Sequence, residues 1–310
     1  MRTFALEEIR RAVAFPAVID AMRDALIAQS RGECDTPMPM HLGIAEEAEV
    51  HIKSSYRRGG AFFALKAAGS FPRRAAQRAT ASSGMMLLFA AATGDPVALF
   101  LDDGWMTDIR TAAVSAMAAR ELRRTDKVLG VLGAGVQARL QARLHAEVLP
   151  LERVVVWGRS PAAVDAYRRD LAADLPSVRV VAAASPSEVA RQARLIVTTT
   201  PARAPLLTRG DIQPGTLLSC VGSDSPGKQE LDPAILTGAS RILVDSLAQC
   251  ARLGELQHAL SERGRAVELG TFCQAPSPAD RDAITICDFT GLGVEDLAIA
   301  EQTYMKLAST

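Results

Sequence analysis

The run Val128-Leu129-Gly130-Val131-Leu132-Gly133-Ala134-Gly135-Val136-Gln137-Ala138 constrains this chain more than any other segment. An apolar stretch suited to a buried strand passes straight into Gly-x-Gly-x-x-Ala and then into a helix-forming sequence. Gly133 can make a tight turn, Gly135 leaves the backbone open to a pyrophosphate, and the small Ala138 lets helix and strand pack closely. Ala134, Val136 and Gln137 complete the loop, and N–H groups at the helix start favour phosphate. An ordinary strand–helix turn is the competing reading of such a motif, and its surroundings decide against that. From residue 127 onward, short apolar runs (128–132, 154–157, 178–181, 195–199, 217–221 and 242–244) alternate with helical stretches. That alternation predicts a doubly wound, Rossmann-type α/β domain built on a parallel sheet.

The end of the second of these strands should select the dinucleotide, because an acid there binds the ribose 2′-hydroxyl and an arginine a 2′-phosphate. The chain reads Val156-Trp157-Gly158-Arg159-Ser160 and has no acid there. The cofactor is therefore read as NAD(P), with NADP(H) favoured if Arg159, assisted by Ser160, meets a phosphate. Arg159 as a solvated loop residue is the alternative.

The first third follows different rules. Val18, Ile19, Met22 and Leu26 form the apolar stripe of a helix with Pro16 in its first turn and Gly32 at its end. Strand-like segments follow at 62–68, 85–89 and 97–101, the last two flanking the turn sequence Gly94-Asp95-Pro96, so this region predicts α+β structure with antiparallel strands. A helix capped by Thr107 or Asp108 should run to about Arg123. The domains expected are 1–122 with a helix at about 290–310 returning to it, and 123–289.

Composition narrows the function by exclusion. The 310 residues hold 35 basic and 35 acidic side chains, so no net positive field gathers nucleic acid or anionic lipid. No apolar run is long enough to cross a bilayer, and the opening Met1–Glu8 turns acidic before a signal core could form; a cytoplasmic protein binding small molecules is expected. The five cysteines form no C-x-x-C and read as buried thiols. The four histidines show no helical pair, so no metal is expected.

Several segments, in order, resemble the ornithine cyclodeaminase/μ-crystallin family. They are Leu65-Lys66-Ala67-Ala68-Gly69-Ser70-Phe71-Pro72, Met106-Thr107-Asp108-Ile109-Arg110-Thr111-Ala112-Ala113, the glycine loop, Gly222-Ser223-Asp224-Ser225-Pro226-Gly227-Lys228-Gln229-Glu230-Leu231 and Asp288-Phe289-Thr290-Gly291. The resemblance implies a substrate and dimerisation domain joined to a dinucleotide domain, in a homodimer. It also implies that Lys66 and Arg110 hold the α-carboxylate of a small amino or imino acid, and that Asp224 is the catalytic acid/base with Lys66 beside it in the catalytic set. Thr111 and Lys228 then belong with the cofactor, Lys228 also ordering its loop. Arginine offers a bidentate fork and lysine a point charge, which suits a carboxylate. Taken alone, Lys66 and Arg110 read as solvated cations and Asp224 as a loop-capping residue.

Departures from the family's ornithine-using members bear on the substrate. The stretch Thr36-Pro37-Met38-Pro39-Met40-His41 has no arginine, and after Glu49 the run Val50-His51-Ile52-Lys53-Ser54-Ser55 offers no acid for a distal amine. A buried ammonium without a carboxylate is costly, so a substrate with a neutral or acidic tail is expected. Three readings stay open: a ketimine or imino acid reductase or amino acid dehydrogenase, an ornithine cyclodeaminase-type ammonia lyase that uses NAD catalytically, and a non-catalytic μ-crystallin-like binding protein.

Overall fold

A computed structural model describes residues 1–45, 48–71, 82–277 and 282–309. The chain divides into two compact units, Met1–Val114 with Leu292–Thr310 and Ser115–Gly291, the first division falling inside the helix Trp105–Glu121.

The first unit is built on a mostly antiparallel sheet. Among the described residues its strand order is Arg2–Ala5, Pro96–Leu101, Ser82–Ala90, Phe62–Ser70, Ala48–Arg57 and Cys34–Asp35, with Met40–Ala45 paired to Ala48–Arg57. The turn read at Gly94 connects paired antiparallel strands, and Gly94 supplies the positive φ it needs. Period-two alternation turns Met86, Leu88, Ala98 and Phe100 into the core and leaves Met85 and Leu101 on the opposite face. The helix Phe15–Ser30, with Pro16 in its first turn and Gly32 at φ +68° beyond its end, buries Val18, Ile19, Met22 and Leu26. The last helix, Gly293–Ala308, packs on that helix and on the strands Ala48–Arg57 and Phe62–Ser70. A Cβ at Gly293 would collide with the Ser54 carbonyl, so glycine is what lets the start of this helix lie against the strand backbone.

One local expectation changes. The helix predicted to be capped by Thr107 or Asp108 begins at Trp105, because the Asp102 carboxylate accepts from the Met106 N–H at 2.8 Å and caps it instead. Arg110 therefore lies beyond the first turn. Burial favours the neutral form and raises the pKa of Asp102 despite the N–H groups it accepts. Pro72 of the resembling segment lies outside the described residues.

The second unit carries a parallel sheet whose order is Arg179–Ala182, Arg153–Trp157, Val128–Leu132, Leu195–Thr198, Leu217–Cys220, Thr285–Asp288, Arg241–Val244 and Val267–Glu268. The six runs read from sequence all appear as strands. Thr285–Asp288, which lies between two of them, is a central strand that the pattern did not announce. Polar Thr285 and Asp288 break it up, so no continuous apolar run marks it. The order reverses at Val128–Leu132, whose neighbours are the next strand in sequence on one side and a later strand on the other. This is the switch point at which open α/β sheets bind ligands. The five cysteines are all free and buried.

Candidate functional site

At the switch point the glycine loop has the shape its sequence requires. Gly133 sits at φ +120°, and a Cβ there would collide with the Thr199 hydroxyl. A Cβ at Gly135 would meet nothing within 4 Å, so the backbone there faces open space. Gly135 is also the N-cap of the helix Val136–Ala146, with no side-chain cap hydrogen bond. Ala138 is fully buried, giving the close helix–strand packing expected of it. Arg139 braces the loop, its Nη1 donating to the carbonyls of Ala134 and Gly135 at 2.9 Å while Nε pairs with Asp170. Gln137 is half-buried and accepts from Gln141 at 3.5 Å. A strand-fed turn of this shape, with peptide N–H groups at a helix start and no side chain in the way, fits a dinucleotide pyrophosphate.

Arg159 is exposed at the end of the neighbouring strand, one residue beyond Gly158, whose Cβ position lies 3.1 Å from the Ala134 Cβ. The Ser160 hydroxyl is engaged as the N-cap of the helix Pro161–Asp174, accepting from the Ala163 N–H. That bond uses one acceptor position of the oxygen and leaves its O–H donor for a phosphate.

Asp224 follows the strand Leu217–Cys220 on a loop held by side-chain bonds. Lys228 Nζ donates to Asp224 Oδ1 at 2.6 Å and Ser225 Oγ to the same oxygen at 3.2 Å. Ser223 Oγ bonds the Lys228 carbonyl, and Gln257 accepts from Gly227 N–H. Behind the loop lies a set of carboxylates that sequence reading missed. Glu230 accepts from the Thr198 hydroxyl, from both N–H and hydroxyl of Thr200, and from Gly222 N–H. Glu255 accepts from the backbone of Glu230 and Leu231, and Asp288 from that of Glu255 and Leu256. Burial pushes the pKa values of Glu230 and Asp288 up to about 7; burial and the neighbouring carboxylates push Glu255 to about 9. Glu230 and Asp288 stand in segments quoted for the resemblance, yet each reads in sequence as an ordinary polar residue near a strand end.

In the first unit, Lys66 and Arg110 are buried rather than solvated. Lys66 Nζ lies 2.9 Å from Asp296 Oδ2, and Arg110 Nη1 lies 2.6 Å from Glu295 Oε2, with its Nε 3.1 Å from Asp296. Lys53, buried and cross-strand to Lys66, makes this a cluster of three cations around two carboxylates. Thr111 is half-buried next to Arg110. Burial first, then the charges of Arg110 and Lys53, lower the Lys66 pKa to about 7 against the pull of Asp296. Burial opposes the charge on Asp296, but Lys66, Arg110 and Lys53 outweigh it and hold the Asp296 carboxyl below the usual range. Glu295 and Asp296 were invisible as site residues in the sequence, where they look like acids favouring the start of a terminal helix.

Fold and glycine loop together define a doubly wound protein of the dinucleotide-binding class. The model of the ornithine cyclodeaminase/mu-crystallin family matches residues 3–310, and the chain belongs to that family. It is 38% identical to an uncharacterized cyclodeaminase of Sinorhizobium fredii over 83% of this chain and 80% of that protein. It is 34% identical to the iminosuccinate reductase of Paracoccus denitrificans over 85% of this chain and 82% of that one. The crystal structure of that reductase in complex with NAD+ superposes with a TM-score of 0.88 at 29% identity, covering 100% of this chain and 97% of the other. An archaeal alanine dehydrogenase dimer with bound NAD also gives 0.88, at 27% identity, covering 99% and 96%. Among the described residues, no helix is long and apolar enough to cross a membrane.

The lowered Lys66 pKa has a measurable consequence. Above pH 7 its amine is increasingly neutral, and a carboxylate bound at the cluster would restore the charge, so such binding should take up a proton at pH 8 and not at pH 6. Calorimetry with alanine, aspartate or proline in two buffers of different ionisation enthalpy reads this directly. Lys66→Met should abolish the uptake and weaken binding by about 2–5 kcal/mol; uptake that persists in this variant removes Lys66 as its source.

Proposed function

We propose that this protein is an NAD(P)-dependent enzyme that moves a hydride to or from the α-carbon of a small amino or imino acid, acting as an imino acid reductase or amino acid dehydrogenase. The observation that carries this reading is the buried Lys66–Arg110 pair, each cation oriented by a carboxylate of the last helix, in a chain that also bears the glycine loop. Lys66 and Arg110 bind the α-carboxylate. Peptide N–H groups of Gly135, Val136 and Gln137 hold the pyrophosphate, with Gly133 and Ala134 shaping the loop. When bound, the nicotinamide supplies or accepts the hydride. Asp224 gives a proton to the imine nitrogen in reduction and takes one from the amine in oxidation. Lys228, 2.6 Å from Asp224, orients that carboxylate and its loop, and its remaining donors serve the cofactor.

The assay for this reading is enzyme mixed with cyclic imines, with pyruvate plus an amine, and with ornithine. Loss of reduced-cofactor fluorescence with an imine identifies the reductase. Ammonia and proline from ornithine with no net cofactor consumption identify instead the cyclodeaminase, the reading that the Sinorhizobium relative's name favours. Asp224→Asn should bind cofactor as the wild type does and lose about 10²–10⁴-fold in turnover. Normal turnover in this variant excludes Asp224 from the chemistry, and no turnover by wild type on any substrate leaves the binding-protein reading.

Arg159, exposed at the end of its strand, is assigned to a 2′-phosphate, which makes NADP(H) the preferred cofactor; the solved relatives that hold NAD argue the other way. Affinities for NADPH and NADH in wild type and Arg159→Ala decide it. The assignment predicts that the variant loses affinity for NADPH alone; equal preference for NADH in both proteins overturns it.

The working unit is proposed to be a homodimer formed through the outward face of the first unit's sheet. Met40, Leu42, Ile44, Leu65, Met85 and Leu101 are exposed there, and the archaeal alanine dehydrogenase is a dimer. Light scattering should give twice the chain mass, falling to one chain in Leu42→Asp/Met85→Asp. A double variant that stays dimeric places the interface elsewhere.

A further inference from the structure

One cluster has no role in the chemistry above. His41 and His51 face each other across the antiparallel strands Met40–Ala45 and Ala48–Arg57, their rings edge to face with centroids 5.0 Å apart. Glu49, two residues before His51, projects from the same face of the strand. Its Oε2 lies 3.0 Å from His41 Nε2, and its Oε1 lies 3.7 Å from His51 Nε2. One ligand atom from each of the three residues falls within 4.8 Å of the others.

A hydrogen bond explains the His41–Glu49 distance. The second imidazole nitrogen, 3.7 Å from the other carboxylate oxygen, is beyond hydrogen-bonding range and within ion-pair reach, so one carboxylate serves both rings. The same three groups can also close on a shared ion, because bonds of about 2.0–2.1 Å at tetrahedral angles need ligand atoms about 3.3 Å apart and these already lie within 4.8 Å of one another. Two imidazole nitrogens and one carboxylate oxygen are the donors of zinc and its first-row neighbours, whereas magnesium and calcium take oxygen alone. His41 is exposed and the other two are partly so, which gives an ion a path from solvent and leaves a coordination position open to water.

We propose that His41, Glu49 and His51 form a three-ligand site for a first-row divalent ion such as zinc. The ion clips the two strands together. It thereby steadies the strand that carries Lys53, four residues beyond Glu49 and on the same face. A helix-based reading of histidine spacing misses the site because its two histidines are brought together by a β-pair.

The test uses tag-free, full-length protein stripped with chelator and titrated with zinc sulfate alone, by calorimetry and by metal content after dialysis. One zinc per chain is expected, together with a rise in melting temperature. The variants His41→Ala/His51→Ala and Glu49→Gln, checked for folding by circular dichroism, should each lose at least about tenfold in affinity. If the double variant does not fold, His41→Gln at the exposed position serves in its place, with the same loss expected. Absence of stoichiometric zinc binding in wild type, or equal binding in the variants, overturns the site.

Discussion

The first unit depends on the burial of Lys66 and Arg110 against Asp296 and Glu295. Taking such charges out of water costs several kcal/mol per ion, and removing one partner from a buried pair typically costs about 3–5 kcal/mol. The arrangement is therefore an expensive way to hold a fold together, since apolar residues of similar volume would do so at less cost. The burial leaves a lysine whose proton is loosely held beside an arginine fixed in orientation by two carboxylates.

Geometry around the charge cluster follows from the same burial. Both carboxylates come from the first turn of the final helix, so that helix must start against the strand Ala48–Arg57, and only a residue without a Cβ permits this at Gly293. Asp102 does comparable work for Arg110, starting its helix at Trp105 through the bond to Met106 N–H. Ends of the chain more than two hundred residues apart in sequence thus converge on one charge cluster.

In the second unit buried acids act as staples. Glu230, Glu255 and Asp288 spend their oxygens mainly on backbone N–H groups and threonine hydroxyls, fixing the loops that follow the strands at 195–198 and 217–220. The Asp224–Lys228 pair sits on one of these loops. The staples thereby hold the backbone of the loop that carries the Asp224 carboxylate. The iminosuccinate reductase and alanine dehydrogenase relatives, both solved with NAD, share this whole architecture at TM-scores of 0.88.

The sequence by itself determined the doubly wound half, its glycine loop and the family, because each depends on contiguous residues whose order and periodicity survive without coordinates. Gly133, Gly135 and Ala138 could be assigned that way, as could the six alternating strands. It also marked Lys66, Arg110 and Asp224, through the segments around them. Tertiary structure alone decided what those residues touch. Glu295 and Asp296 look like helix-start acids until the last helix docks, the strand Thr285–Asp288 is recognisable only between its two neighbours, and His41 meets His51 only through strand register. Burial, pKa and ion pairing are properties of neighbours distant in the chain, and no local pattern of residues encodes them.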